Sequence, residues 1–345
     1  MQPNPDSATL NNMAIATTYN TAGDREDLTN ALTILTPEDC PKTSTFSKST
    51  DAFNMLHEWQ MDTLLPVSFA GVVEGADVSS FTDQVAQRAR VGNRQQLFSR
   101  TWAVSRSQLA SDPAGVTNEM ANSKTKAARE MKRDIESMIG SDNDLQTGTG
   151  LVPSKCRALG KWISTSPGSD VPSTYITPSA SISTTTSGAL TESIFNDVYQ
   201  SIFQQVGGRR NTTLYAGPTL KRAISKFQRN ASGTTATQTY IVNQDATQHQ
   251  IDLNVTIYEG DFHHVVIMPD MFNGLVDGAN PSTVTAQQQN RGYVIDPDLV
   301  ALSWMYGVEP VDLPDFGGGP NGYLRCSLTL EVKNPLGLGK FAGAS

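Results

Sequence analysis

The sequence predicts an α+β fold built from one long helix, an extended pair of strands and a mixed α/β unit. Apolar residues recur at threes and fours between Ser111 and Gly140, the spacing of an amphipathic helix. Apolar and polar residues alternate from Leu324 to Val332, the spacing of a strand with one buried face. Helical and β patterns follow one another between these two segments, and this alternation indicates the mixed unit.

Length and composition are those of a globular protein with long loops. The 345 residues suffice for two core-bearing units or for a single elaborated α+β body. Charged residues make up 17%, hydrophobic residues 38% and aromatic residues 7%, so the chain is poor in charge and rich in small polar side chains. The net charge of −8 argues against sequence-specific DNA binding, which depends on clustered Lys and Arg.

The sequence contains no targeting signal, zinc motif or disulfide framework. Residues Met1 to Thr9 lack the basic and apolar segments of a signal peptide, and no apolar run is long enough for a transmembrane helix. We therefore expect a soluble protein made in a cytosol. Cys40, Cys156 and Cys326 are scattered and odd in number, so they are interpreted as core thiols.

A short helix is predicted from Asp24 to Leu35. Acidic residues in its first turn suit the helix dipole, and Pro37 ends it. The segments on either side are polar and rich in Asn, Ser and Thr. This helix is therefore expected to lie between flexible pieces of chain.

Two segments with β-type content follow, from Trp59 to Val73 and from Gln95 to Gln108. The second segment alternates with the period of a strand. The sequence that connects them is polar, with Gly71 near the end of the first segment and Gly75 and Gly92 after it. Two strands joined by so long a connection would form a protruding arm with little core of its own.

The long helix is the strongest secondary-structure signal. Ser111 or Asp112 is the predicted N-cap, Pro113 occupies the first turn and Gly140 ends the helix. At 1.5 Å per residue, about 25 residues span roughly 40 Å. The predicted apolar face consists of Val116, Met120, Ala127, Met131, Ile135 and Met138.

From Ile163 to Ala189 the chain is dominated by Ser, Thr, Pro and Gly and is predicted to be an exposed connection. The next segment reads helix, strand and helix. Its helix from Leu190 to Val206 is ended by Gly207, its strand runs from Thr212 to Tyr215, and its second helix, opened by Pro218, runs from Leu220 to Phe227. An alternating segment from Ile251 to Ile257 and a buried strand from Val265 to Met268 follow.

The His57-Glu58-Trp59-Gln60-Met61 segment lacks the second histidine of a zinc protease. That chemistry needs two imidazoles on one helical face, and Met61 stands at the required position. We interpret His57 and Trp59 as structural residues.

The other candidate residues do not form a catalytic or binding motif. His263 and His264 point to opposite faces of a strand and are interpreted as strand-edge residues, and His249 is isolated. Nothing favours a Ser-His-Asp triad. The turns Gly207-Gly208 and Gly317 to Gly319 lack the ending of a phosphate loop, and the Arg209-Arg210 pair is interpreted as a solvated turn. We predict no catalytic, cofactor-binding or metal residue and no cofactor.

The order of several motifs carries a resemblance to a known family. These motifs are Asp24-Arg25-Glu26-Asp27-Leu28-Thr29, Thr36-Pro37-Glu38-Asp39-Cys40-Pro41, the block from His57 to Leu64, Glu74-Gly75, and the strand that ends at Val332. In this order and spacing they resemble the major capsid proteins of tailed bacteriophages. The resemblance covers nearly the whole chain and implies the HK97-type capsid fold.

The resemblance implies a division of the α+β chain into six parts. These are an N-terminal arm (1–55), an extended β-hairpin loop (56–110), a peripheral domain with the spine helix (111–145), a connecting segment (146–189), an axial α/β domain (190–312), and one or more return strands to the peripheral domain (313–345). The arm and the loop are expected to reach over neighbouring subunits.

The implied function is that of a shell subunit and not of an enzyme. Hexamers and pentamers would close an icosahedral head around double-stranded DNA, assembled in the host cytoplasm and located in the virion. The expected partners are other copies of the chain, a separate scaffolding protein, a portal, a decoration or cement protein, and packaged DNA by non-specific proximity; a membrane is not expected. The alternative is an encapsulin-like nanocompartment, which has the same shell fold without a genome.

Two further expectations concern assembly. Some shells of this type harden through a bond between a loop lysine and an asparagine of another subunit. No lysine lies between Lys48 and Lys124, so we expect no such crosslink here. The arm motif begins soon after Met1, and this implies that the scaffolding protein is separate.

Overall fold

The structure is a computed structural model that describes residues 36, 38–78, 80–111, 115–186, 188–227, 255–279, 285–315 and 317–343. The helix predicted from Asp24 to Leu35 lies outside these residues, as do Asp112, Pro113 and His249. The helices are α1 (Pro41–Thr45), α2 (Arg106–Ala110), α3 (Glu119–Ile139), α4 (Leu159–Trp162), α5 (Glu192–Val206), α6 (Pro218–Ser225) and α7 (Ala286–Asn290). The strands are β1 (Ser47–Lys48), β2 (Leu56–Met61), β3 (Ala89–Arg94), β4 (Gln96–Ala103), β5 (Ile182–Ser183), β6 (Arg210–Ala216), β7 (Ile257–Glu259), β8 (His263–Pro269), β9 (Gly292–Ile295), β10 (Val300–Leu313), β11 (Asn321–Val332) and β12 (Gly339–Phe341).

The strands form two larger sheets and one hairpin. The four-stranded sheet has the order β1-β10-β11-β4, and the six-stranded sheet has the order β5-β12-β9-β6-β8-β7. β2 and β3 pair only with each other within the described residues, as an antiparallel hairpin. The six-stranded sheet is mixed, because β6 runs parallel to β8 and antiparallel to β9. The predicted combination of strands and helices, an α+β fold, is confirmed.

Each larger sheet has a hydrophobic core. Met131 and Ile135 of α3 are buried in one cluster with Leu328 and Leu330 of β11. Phe195 and Val198 of α5 belong to a second cluster with residues of β6 and β8. The first cluster also includes Tyr215 and Tyr293 of the six-stranded sheet, so the two parts of the molecule are in contact.

The long helix is confirmed from Glu119 to Ile139, with Gly140 as its C-cap, but its predicted start was wrong. Gly115 has φ of +83°, a left-handed conformation that a continuous helix cannot contain. Asn118 is the N-cap, and its side chain accepts a hydrogen bond from the Ala121 N–H at 3.1 Å. The preceding residues form the separate short helix α2, capped by Ser105.

The predicted pairing of the two β segments was also wrong. β2 pairs with β3. The segment that was predicted to pair with β2 contains β4, which instead lies antiparallel to β11. The chain changes partner at Gln95, whose fully buried side chain meets Ser303 and Ser327 across the four-stranded sheet. Residues 62–73, which were expected to continue the first strand, contain no strand. Alternation along a sequence predicts a strand but does not identify its partner.

The segment from Ile163 to Ala189 is only in part the exposed connection that was predicted. Ile163, Val171 and Tyr175 are buried in the first core, and Thr177 and Ser181 are buried as well. The segment includes β5, which lies parallel to β12 at one edge of the six-stranded sheet. Its polar residues are tolerated inside because they are hydrogen-bonded: the Thr177 hydroxyl, for example, donates to the Pro335 carbonyl at 3.0 Å.

The helix, strand and helix predicted after this segment are confirmed as α5, β6 and α6. The buried strand predicted from Val265 to Met268 is β8, although Ile251 and Leu253 lie outside the described residues. The strand predicted at the C-terminal end is β11, but its predicted half-exposure was wrong. Ser327, Thr329 and Glu331, which were assigned to a solvent face, are all buried. The β2–β3 hairpin and the segment around Cys156 cover that face, where the Asn93 amide donates to the Leu330 carbonyl at 2.8 Å.

A buried ion cluster joins the two larger sheets. Lys42 on α1 contacts Glu136 on α3 at 3.3 Å and also contacts Asp270, which directly follows β8. The side chains of all three residues are inaccessible to solvent. Glu136 also accepts hydrogen bonds from the backbone N–H groups of Lys42 and Thr43, at 2.9 and 2.8 Å. The ammonium group therefore connects α1, α3 and the end of β8.

A second polar link lies at the end of α3. Asp142 contacts Arg291 at 2.6 Å and Lys340 at 3.0 Å. Burial opposes ionisation of Asp142, but the two cations hold the pKa of its carboxyl below its ordinary value. Lys340 belongs to β12, so the chain returns to the six-stranded sheet after β11.

We expect the Met131→Ala substitution to lower the free energy of unfolding of the subunit by about 2–5 kcal/mol, because it leaves a cavity between α3 and the four-stranded sheet. Denaturant unfolding followed by circular dichroism measures the change. Phe53→Ala is the control, because Phe53 is 95% exposed and its loss should change the free energy by at most about 0.5 kcal/mol. Equal losses for the two variants would contradict this core assignment.

We also expect acid to destabilise the subunit through His263. Burial and the nearby Arg209 lower the pKa of His263 from 6.5 to about 4, with Asp261 opposing them. The unfolded chain binds this proton below pH 6.5, whereas the folded chain does so only near pH 4. Stability therefore falls by up to about 3 kcal/mol as the pH drops through this range, at about 1.4 kcal/mol per pH unit.

Urea unfolding of the wild type and of His263→Phe between pH 7 and pH 4 tests this expectation. Other carboxylates titrate in the same range, so the informative quantity is the difference between the two proteins. The aromatic substitute keeps a ring against Tyr199 and Tyr258, the two side chains on which His263 stacks. Parallel pH profiles for both proteins would show that His263 does not contribute.

Candidate assembly surface

The β2–β3 hairpin carries a long connection at its far end. The two strands pair in register from Leu56 with Arg94 to Met61 with Ala89. The described residues of 62–88 form turns and extended chain without helix or strand. Isolated two-stranded hairpins are marginally stable, so this one depends on contacts at its base.

Several contacts fix that base to the rest of the subunit. The Trp59 ring packs 5.7 Å from the Trp162 ring of α4. The Tyr175 hydroxyl donates to the Gln87 carbonyl at 2.7 Å, on the returning side of the connection. His57 Nε2 lies 3.1 Å from a Glu331 carboxylate oxygen, and this hydrogen bond holds the pKa of Glu331 below its ordinary value. These contacts fix the position of the hairpin on the subunit.

Beyond this base, the connection exposes a run of large apolar side chains, which we call the loop surface. Leu64 and Phe69 are each 95% exposed and Phe81 is 91% exposed. The loop surface consists of Leu64, Val67, Phe69, Val72, Val73, Val78, Phe81 and Val85. Soluble monomers rarely expose so many large apolar residues in one continuous segment, so such a patch marks an interaction site.

The sequence interpretation missed these residues because it placed those up to Val73 in a β segment and treated the rest of the connection as polar. The signal was present in the sequence, because Val, Leu and Phe are frequent from Leu64 to Val73. Frequency alone does not distinguish a buried strand from an exposed apolar segment. Only the structure shows that nothing in the described part of the same chain covers them.

The outer part of β10 is a second incompletely covered surface. β1 pairs only with Ala301 and Leu302, so among the described strands the far end of β10 has a partner on one side alone, β11. A shallow groove beside it, of about 400 Å³, is lined by Lys48, Asp51 and the residues Trp304, Met305, Tyr306, Gly307 and Val308. Open sheet edges of this kind can pair with another strand.

The candidate catalytic residues do not come together in one site. In β2 the His57, Glu58 and Trp59 side chains point to different partners, namely Glu331, Arg90 and Trp162. Among the described residues, no group of three or more His, Cys, Asp or Glu side chains could hold a metal ion. No helix in the described ranges is both long and apolar enough to cross a membrane.

His263 and His264 are not strand-edge residues, so that interpretation was wrong. They open β8, which lies between β6 and β7. The His263 side chain is only 3% exposed and stacks on Tyr199, with the ring centroids 3.7 Å apart. Within the described residues, neither ring nitrogen of His263 has a hydrogen-bond partner. The residue is therefore part of the core.

The remaining polar and thiol candidates have structural environments. Arg209 and Arg210 face solvent in part, and each pairs with a carboxylate, that of Glu259 and that of Asp296. The three cysteines are buried and free, so their prediction as core thiols is confirmed. Burial raises the pKa of the Cys40 thiol to about 11 and that of Cys326 to about 12, which makes both thiols poor nucleophiles.

Comparison with solved structures identifies the fold. A chain of Gordonia phage Cozz matches with a TM-score of 0.56 and 13% sequence identity, over 93% of this chain and 91% of that chain. The capsid of a native GTA particle matches with a TM-score of 0.57 and 10% identity, over 99% and 100%. The mature capsid of bacteriophage PhiM1 matches with a TM-score of 0.56 and 10% identity, over 96% and 97%. The expected HK97-type fold is thereby confirmed.

Comparison with protein families identifies the chain itself. The family model described as the SU10 major capsid protein matches residues 11–345, nearly the whole sequence. No curated protein matches the sequence. The resemblance on which the sequence interpretation relied is confirmed, and a major capsid protein is a structural component of the virion. The chain therefore belongs to the SU10 major capsid protein family.

Proposed function

We propose that many copies of this chain assemble, as hexamers and pentamers, into a closed icosahedral shell around double-stranded DNA. The observation that carries the proposal is the loop surface, which a lone subunit leaves in water. Burying a Val, Leu or Phe side chain contributes about 1.5–3 kcal/mol. Eight such side chains therefore provide a driving force of the order of 10 kcal/mol for contact with a neighbour.

The fixed base of the hairpin supports the same proposal. A surface on a freely moving segment loses conformational entropy when it binds, and this opposes association. Here the contacts of Trp59 and Tyr175 hold both ends of the connection on the subunit. Every copy can therefore present its loop surface in the same direction, which repeated contacts around a closed symmetric assembly require.

The charge of the chain fits a DNA container better than a DNA-binding protein. The net charge of −8 gives little attraction for the phosphate backbone. An inner wall that does not hold DNA leaves the polymer free to move during packaging. We therefore propose that the DNA lies inside the shell, close to its wall but without specific binding.

The division into arm, extended loop, peripheral domain, connection, axial domain and return strands is part of this proposal. So are the expected partners: a scaffolding protein, a portal and a decoration or cement protein. The proposed role is structural, without catalytic activity. Assembly takes place in the host cytoplasm.

Electron microscopy of the purified protein, expressed alone and together with its neighbouring genes, tests the assembly. Closed shells or uniform ring-shaped capsomers are the expected result, and native particles should contain DNA. Particles filled with a cargo protein instead would favour the encapsulin-like alternative. A monodisperse monomer under both conditions would contradict the proposed shell.

We expect Phe69→Asp to abolish or strongly reduce assembly, because it places a charge within the apolar loop surface. The melting temperature of the isolated subunit should remain within about 2 °C of the wild-type value, since Phe69 is exposed there. Size-exclusion chromatography and calorimetry measure the two effects. Leu151→Asp is the matched control, because Leu151 is 97% exposed and lies outside the hairpin. Equal loss of assembly in both variants would rule out a special role for the loop surface.

We further expect no covalent multimers to form through the loop. No lysine occurs between Lys48 and Lys124, an interval that contains the whole hairpin. Particles boiled in SDS and reductant should therefore give a monomer band in gel electrophoresis. A ladder of higher bands whose linked peptides include the loop would contradict this expectation.

A further inference from the structure

Lys42, Glu136, Asp270 and Asn273 bring a nucleophilic amine and three carbonyl-bearing side chains together inside the subunit. Lys42 Nζ is in direct contact with Asp270 Oδ2. It lies 3.1 Å from Asn273 Oδ1 and 3.3 Å from Glu136 Oε1. All four residues are at most 3% exposed. The amine therefore has a carboxyl group within reach and a second carboxylate beside it.

The surroundings exclude water from these groups. Phe272, Tyr215 and Cys40 are buried nearby, and Phe272 and Cys40 belong to one apolar cluster with Leu275. Gly140 leaves the space that the lysine occupies, because a Cβ there would lie 3.1 Å from Lys42 Nζ and 2.6 Å from the Phe272 carbonyl oxygen. A charged lysine in such a site carries a large desolvation cost, and neutralisation of the pair would relieve it.

We propose that Lys42 and Asp270 condense into an intramolecular isopeptide bond, with Glu136 carrying the proton between them. In the ionised state the site holds one ammonium group and two carboxylates. A proton first moves from the Lys42 ammonium to Asp270, which gives a neutral amine and a neutral carboxylic acid. Burial raises the pKa of Asp270 and the charge of Glu136 adds to this, while Lys42 opposes it, so Asp270 accepts a proton more readily than an exposed carboxylate does. Against the effect of burial, the two carboxylates also raise the pKa of Lys42, so the neutral pair is the reactive form and not the resting form of the site.

The bond then forms without any further reactant. The amine nitrogen attacks Asp270 Cγ, and Glu136 accepts the second proton from nitrogen. Glu136 passes that proton to the leaving Oδ2, the bond between Cγ and Oδ2 breaks, and one water molecule departs. The net change converts an ammonium and a carboxylate into an amide and water, and Glu136 returns to its carboxylate form.

The hydrogen bonds of the two carboxyl groups match these roles. Asp270 Oδ1 accepts from the Phe272 N–H at 2.8 Å, so Oδ1 is held as the carbonyl oxygen while Oδ2 faces the amine. After the bond forms, Glu136 keeps three donors, the backbone N–H groups of Lys42 and Thr43 and the Thr43 hydroxyl. Its remaining charge is therefore compensated in the product. Asn273 is held in place because its amide nitrogen donates to the Tyr215 carbonyl at 3.0 Å.

The bond would connect positions 228 residues apart in the sequence and join α1 to the end of β8. It would strengthen each subunit from within, whereas the hairpin has no lysine with which to link one subunit to another. A crosslink that closes so long a loop restricts the unfolded chain most strongly. Shells would then resist unfolding of their subunits while every subunit remained separable in SDS.

Peptide mapping of the full-length protein by tandem mass spectrometry tests the proposal. We expect a branched peptide that joins the segments around Lys42 and Asp270, lighter by one water molecule than the sum of its parts, and no tryptic cleavage after Lys42. Recovery of both segments only as linear peptides would show an ordinary ion cluster and overturn the proposal. A branch at Asn273 with loss of ammonia would overturn the assignment of Asp270.

Variants separate the chemistry from folding. Lys42→Arg keeps the charge and should abolish the branched peptide, whereas Lys48→Arg, at an exposed lysine, should leave it unchanged. If the Glu136→Gln variant folds, its peptide map should show Lys42 and Asp270 in linear peptides. Full formation of the branched peptide in that variant would overturn the role of Glu136. If Glu136→Gln does not fold, the wild-type peptide map by itself decides whether the bond exists.

Discussion

The buried Lys42 ammonium is the constraint on which the arrangement of the two larger sheets depends. A buried charge is tolerated only where opposite charges and hydrogen bonds surround it, so Lys42 requires Glu136 and Asp270 in fixed positions. Glu136 belongs to the long helix that packs on one sheet, and Asp270 directly follows a strand of the other. Whether ionic or covalent, this contact determines how α1, α3 and the end of β8 lie relative to one another.

Around this centre the subunit combines a fully covered core with surfaces that it leaves uncovered. The apolar side chains of α3 and β11 are buried in one core and those of α5 in a second. The loop surface and the far end of β10 have no comparable cover within the described residues. A shell protein needs both properties, because the subunit must fold by itself and yet remain incomplete until its neighbours are in place.

Much of the fold follows from periodicity along the chain. The apolar spacing of Met131, Ile135 and Met138 predicts the buried face of α3, and Gly140 correctly marks its end. The start of that helix was misplaced because Gly115 adopts a left-handed conformation, and the helix begins only after it, with Asn118 as the N-cap. Pairing was missed for a different reason: the alternation in β4 suits any neighbour, and β11 is far away in sequence.

The sequence by itself therefore determined the kinds of element, their order and, through its ordered motifs, the family. Short-range patterns suffice for this, because helix and strand periods depend on residues only a few positions apart. The tertiary structure alone decided that Ile163 and Tyr175 are inside, that Leu64 and Phe69 are outside, and that Lys42 meets Asp270. Burial and long-range contact depend on which distant segments cover a residue, and no local pattern encodes that information.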